Sequence, residues 1–79
     1  MVTVHRAFGY RFVIFANDHG PPHVHVFGQG GEARIWLDGP GAPSVDRFVG
    51  IARADMRRIM AEAVAKQSML LEAWRQIHG

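Results

Sequence analysis

The chain has 79 residues, 48% of them hydrophobic, a formal net charge of +2 and no cysteine. That length makes one domain, residues 1–79, and a chain so short buries only roughly 60% of its unfolded surface, so a dimer or partner interface is expected to add stability. The missing thiol excludes disulfides, thiolate metal sites and cysteine nucleophiles, and the mild charge permits nucleic-acid binding without requiring it.

The apolar content argues against disorder. Met1 to His5 lacks the long apolar region of a signal peptide, and no apolar run approaches the ~20 residues of a membrane span. A soluble cytoplasmic protein is therefore expected. Val2 to Arg6 alternates weakly and reads as a first strand. Phe8-Gly9 is turn chemistry, with Gly9 free to take positive φ. Tyr10 to Phe15 is dense in aromatic and β-branched residues, and its near-continuous hydrophobicity predicts a central strand covered on both faces.

Asn17 to Gly20 is again turn chemistry. Pro21 and Pro22 make the next segment stiff. His23 to Phe27 alternates with period two and predicts a third strand, and Glu32 to Leu37 a fourth, joined through Gly28-Gln29-Gly30-Gly31. The expected class is α+β: a four-stranded antiparallel β-meander packed against a C-terminal helix. A loop over residues 28 to 31 puts Phe27 opposite Glu32, His25 opposite Arg34 and His23 opposite Trp36. One face then carries His23, His25, Arg34 and Trp36, and the other the apolar set Val24, Val26, Ala33 and Ile35.

Asp38 to Gly50 reads as a loop, opened by Asp38-Gly39-Pro40-Gly41-Ala42-Pro43, with Phe48 and Val49 expected to tuck onto the core. From about Ala52 to Ile77 apolar residues recur at three- and four-residue steps, including Met56, Ile59, Ala63, Leu70 and Trp74. Ala52 offers no N-cap side chain, and Asp55 in the first turn complements the macrodipole. A straight helix of that length would be nearly 40 Å long against ~20 Å for a six-residue strand. A break is therefore expected at Lys66-Gln67-Ser68, with Ser68 as the cap of a second segment.

The chemistry concentrates at Asp18 to His25. Histidine is not a favoured strand residue, and two imidazoles on one strand face suit a metal, a phosphate or a proton transfer. As a metal site, His23 and His25 would be ligands to one divalent ion such as Zn or Ni, with Asp18 and His19 foremost among the candidates for the remaining ligands and His5 and Asp38 beside them. As an acid–base site, His23, His25 and Arg34 would supply the base, acid and cation of a ribonuclease, with or without a metal's help. Arg6 and Arg11 would add charge, and Trp36 and Tyr10 would stack bases. As an interaction surface, a face with Phe12, Ile14 and Trp36 would need covering by a partner or a second copy. Both histidines are expected to point outward and to matter little for folding. The basic group Arg53, Arg57 and Arg58 reads as a solvated face.

The run Asn17-Asp18-His19-x-Pro21-Pro22-His23-Val24-His25-Val26 resembles the signature of a small bacterial family, the domain-of-unknown-function family 4160. The likeness extends to Gly31-Glu32-Ala33 before Trp36-Leu37 and to Leu71-Glu72-Ala73-Trp74. The resemblance implies a short protein whose gene lies beside that of a second small protein, an arrangement like a toxin–antitoxin module. It implies no catalytic residue. The function expected is that of one component of such a two-gene module, acting through contacts with the neighbouring operon protein and with RNA. The alternative is a small histidine-based protein that binds a divalent metal.

Overall fold

The computed structural model describes residues Met1–Gly79. Five strands, β1 (Val2–Ala7), β2 (Tyr10–Ile14), β3 (His23–Gly28), β4 (Gly31–Trp36) and β5 (Ser44–Val49), are followed by α1 (Arg53–Ala65) and α2 (Gln67–His78). The strands form one antiparallel sheet in the order β1-β2-β3-β4-β5. The expected meander of four strands is thus a meander of five. The loop expected over residues 38 to 50 holds only to its proline-rich first half.

Short, well-determined turns set the register. Phe8 and Gly9 both take left-handed backbone, φ 56° and 80°, as do Gln29 and Gly30, φ 53° and 78°. Paired left-handed residues match the right-handed twist of the flanking strands. Around the second turn Gly28 pairs with Gly31, and the ladder runs on through Phe27–Glu32, His25–Arg34 and His23–Trp36, the register read from the sequence. Glycine is needed beside this turn for space. A Cβ on Gly28 would lie 2.6 Å from the Gly9 carbonyl oxygen, and one on Gly31 would lie 2.3 Å from that of Gly50.

Alternation then sorts the side chains. Tyr10, Phe12 and Ile14 of β2, Val24 and Val26 of β3, and Ala33 and Ile35 of β4 join Met56, Ile59 and Ala63 of α1 and Leu70 and Trp74 of α2 in one core. Phe12 and Ile14, expected on an exposed face, are fully buried beneath the helices, because Phe12 lies opposite Val26 and shares its face. Val13, on the other face, is also fully buried. The second strand is therefore closed on both sides, as its composition predicts.

The helical stretch breaks where expected. Lys66, with φ −108° and ψ 13°, separates α1 from α2. A straight helix over 53–78 would measure roughly 39 Å, longer than the 33 Å longest dimension of the molecule. Breaking it returns both apolar stripes to the sheet. Ser68 does not cap the second segment, and neither helix has a side-chain N-cap hydrogen bond. Cross-links to the sheet hold the helices instead. The Tyr10 hydroxyl donates to Asp55 at 2.8 Å, His5 meets Glu62, and the Gln67 amide donates to the Leu37 carbonyl at 3.0 Å.

β5 was hidden by an irregularity. Ile35 pairs with Val45 and Arg34 with Arg47, so Asp46 is a bulge residue that breaks the alternation. The strand is an edge, and Phe48 and Val49 lie 44% and 63% exposed rather than tucked onto the core. β1 is the other edge and is also bulged, between Thr3 and His5. Bulged edges resist pairing with other chains.

Candidate functional site

The turn after β2 folds back over the face of the sheet that the helices leave open. Asp18, in that turn, places one carboxylate oxygen against both histidines of β3. Oδ2 lies 2.9 Å from His23 Nε2 and 3.0 Å from His25 Nε2. One donor atom from each of Asp18, His23 and His25 falls within 4.8 Å of the others. The stiff Pro21-Pro22 lead fixes where β3 begins, and the period of two brings both imidazoles to the same side.

The two histidines sit in different surroundings. His23 is 4% exposed, with Trp36 and Trp74 centred 5.5 and 5.0 Å from its ring. It shares the open face with His25 as expected, but its burial corrects the expectation that it stands exposed and matters little for folding. Trp74 of α2 reaches it, so it is a site residue and a packing residue at once. His25 is partly exposed, with the Phe15 ring centred 4.7 Å away in a T-shaped arrangement and the ring of Phe27 stacked at 6.2 Å. Access to the cluster is therefore from the His25 and Asp18 side.

Hydrogen-bond capacity sharpens the chemistry. His23 Nδ1 lies 3.0 Å from the Pro21 carbonyl oxygen, which can only accept, so Nδ1 carries the proton. In a neutral ring Nε2 is then a lone pair facing another acceptor, the Asp18 carboxylate. The contact is favourable only with a second proton on the ring or a cation between the atoms. A metal-bound histidine typically donates its other N–H to a carbonyl in this way. Two donors about 2.1 Å from one tetrahedral ion stand about 3.4 Å apart, so the two Asp18–histidine separations, now at hydrogen-bond length, need open by only a few tenths of an ångström to admit one. Burial works to raise the Asp18 pKa, but the hydrogen bonds from His25 and His23 and their charges outweigh it, and the carboxyl is held below its ordinary 3.8.

Other expected site residues lie elsewhere. His19 is exposed and stands outside the cluster. His5 is engaged with Glu62, and Asp38 accepts from the Gly39 N–H at the surface. Arg34 is across from His25 as expected, but its guanidinium is tied to Asp46, with Nε at 2.8 Å and Nη2 at 2.7 Å, and it rides over Trp36. Neither the strand carrying Asp46 nor the Trp74 contact was legible from spacing. Composition places Phe15 at the end of the second strand, and only the course of the turn brings it to His25.

No helix is long and apolar enough to cross a membrane. No curated protein and no solved structure matches the chain. A family model does, over residues 9–75, and that span takes in the turn, both histidines, β4, β5 and most of the helical layer. The chain belongs to the family described as a domain of unknown function, DUF4160.

Proposed function

We propose that the protein is a divalent-metal-binding module whose ion is held by Asp18 Oδ2, His23 Nε2 and His25 Nε2. The observation that carries this is the proton count at His23, where a ring nitrogen with its partner already committed to Pro21 faces a carboxylate. Two imidazoles and one carboxylate suit a borderline divalent ion such as Zn or Ni, and three protein ligands leave positions for an outside ligand. The notion of His19 as a ligand is not retained.

Metal analysis and thermal melting of the same sample test this. One Zn or Ni per chain is expected, and at a hundredfold excess over Kd the melting temperature should rise by roughly 10 °C or more. Asp18→Asn and His25→Ala should each abolish the rise while remaining folded. No shift with any first-row divalent ion removes the reading.

A second reading keeps the two-gene module, with the protein docking on its neighbour. Exposed Val45, Phe48 and Val49 along β5 favour it. Co-expression with the neighbouring operon protein should give a stable complex that Phe48→Asp weakens. A ribonuclease built on His23, His25 and Arg34 fits the shared face, but the Asp46 carboxylate already offsets the Arg34 charge.

A further inference from the structure

Beside the cluster, the same sheet face holds a second feature. A hollow of about 130 Å³ opens between β3, β4 and β5, and His25 forms one wall of it. Arg34 and Arg47 are paired across β4 and β5, and both line the hollow together with Glu32, Ala33, Phe48 and Val49. Neighbouring strands are about 4.8 Å apart. The row His25, Arg34, Arg47 therefore spans roughly 10 Å, within reach of one small ligand and the side chains around it.

Charge in the hollow is balanced. Arg34 is paired with Asp46. Arg47 and Glu32 make no ion pair with any residue, and one matches the other in charge. At this end of the face the metal-free contact of Asp18 with His23 needs a second proton on the ring, so that pair is neutral and the metal-free site carries no surplus charge to attract anions. A divalent ion that takes the place of that proton gives the site a net positive charge, because a bound ion is the largest local charge in such a site. Arg47 is then an unengaged guanidinium facing a site of net positive charge, and guanidinium is suited to binding phosphate oxygens.

We infer that the hollow takes a phosphate-class oxyanion, held by Arg47 beside Arg34 and His25, and that it does so only when a divalent ion occupies Asp18, His23 and His25. The inference rests on the metal reading above and names the ligand class that would use the positions left open. Glu32 opposes the anion and tunes its affinity.

Titration of inorganic phosphate into Ni-loaded and metal-free protein, followed by calorimetry at low salt, tests it. Binding is expected in the loaded protein alone. Arg47→Gln should weaken it on the order of tenfold, and Glu32→Gln should tighten it about threefold or more. Both positions are exposed or at the edge strand, and circular dichroism checks that the variants fold. Asp18→Asn should lose nickel and phosphate together. Equal binding with and without nickel overturns the inference, as does an Arg47→Gln protein that binds phosphate unchanged. Nickel bound one per chain with no phosphate uptake overturns it too, and leaves the metal reading standing. Failure to take up nickel removes both. Competition by a short oligoribonucleotide would assign the phosphate to a nucleic-acid backbone, and competition by a phosphomonoester alone would assign it to a small molecule.

Discussion

The two faces of the sheet are made by the same strands and obey different rules. On one face Phe12, Ile14, Val24, Val26 and Ile35 lie fully buried under two helices. On the other, His25 and Arg34 alternate with them in sequence, remain partly exposed and make polar contacts. A period of two lets a short chain build a core and a site from one set of residues without either constraining the identity of the other. His23 is the exception. It points to the open face but is closed off by Trp74, and through that ring the site is joined to α2. His78 extends the stack, its ring 3.7 Å from Trp74.

The largest effects should separate the faces. Phe12→Ala, on the covered face, should cost about 3–5 kcal/mol, and Ile35→Ala about 2–5, because each leaves a cavity in a closed core. Arg34→Ala, one position from Ile35 on the open face, should cost at most about 1 kcal/mol, since its partner Asp46 is partly solvated. Urea unfolding of the three variants checks this. Similar losses at Ile35 and Arg34 would mean that the open face is also packed in solution.

A smaller difference should appear within the site. His23→Ala removes a buried ring from between two tryptophans and should cost on the order of 1–3 kcal/mol. His25→Ala removes a half-exposed ring and should cost under about 1 kcal/mol. Melting curves in metal-free buffer measure both. Equal losses would place His25 in the core as firmly as His23, and its role as the open side of the site would fall.

Much of this division was legible in the sequence, for a physical reason. Val24 and Val26 against Ala33 and Ile35 admit one register, since a slip of one residue would bury His25 and Arg34 under the helices. The turn at Gln29-Gly30 agrees with it. The break near Lys66 follows from lengths alone. What stayed hidden depended on contacts distant in sequence. β5 carries an extra residue at Asp46, so its alternation fails and the stretch reads as loop. Phe12 and Ile14 fall on the covered face, which their sequence does not reveal because the register of β2 on β3 has no short turn to set it. In the site, the pairing of His23 with His25 is local and readable. The choice of Asp18 over its neighbour His19 is not, because it depends on which way the eight residues between β2 and β3 face.

The least conspicuous effect is the pH dependence that Asp18 should impart, and it bears on what the cluster does without an ion. The hydrogen bonds and charges of the two histidines hold the Asp18 carboxyl below its ordinary 3.8 against the opposing effect of burial. A carboxylate whose pKa is lowered by folding contributes stability that is fully present above the unfolded value and lost as pH falls through the folded one. Wild type should therefore exceed Asp18→Asn in metal-free stability near pH 5 by an amount that shrinks below about pH 4. Chemical unfolding of both proteins between pH 3 and pH 7 measures the gap. A gap that does not change with pH would mean that Asp18 serves as a neutral hydrogen-bond partner, and a neutral partner would not collect a divalent ion. A gap that closes on acidification would show the anion that the metal reading needs, already formed and already facing His23 and His25.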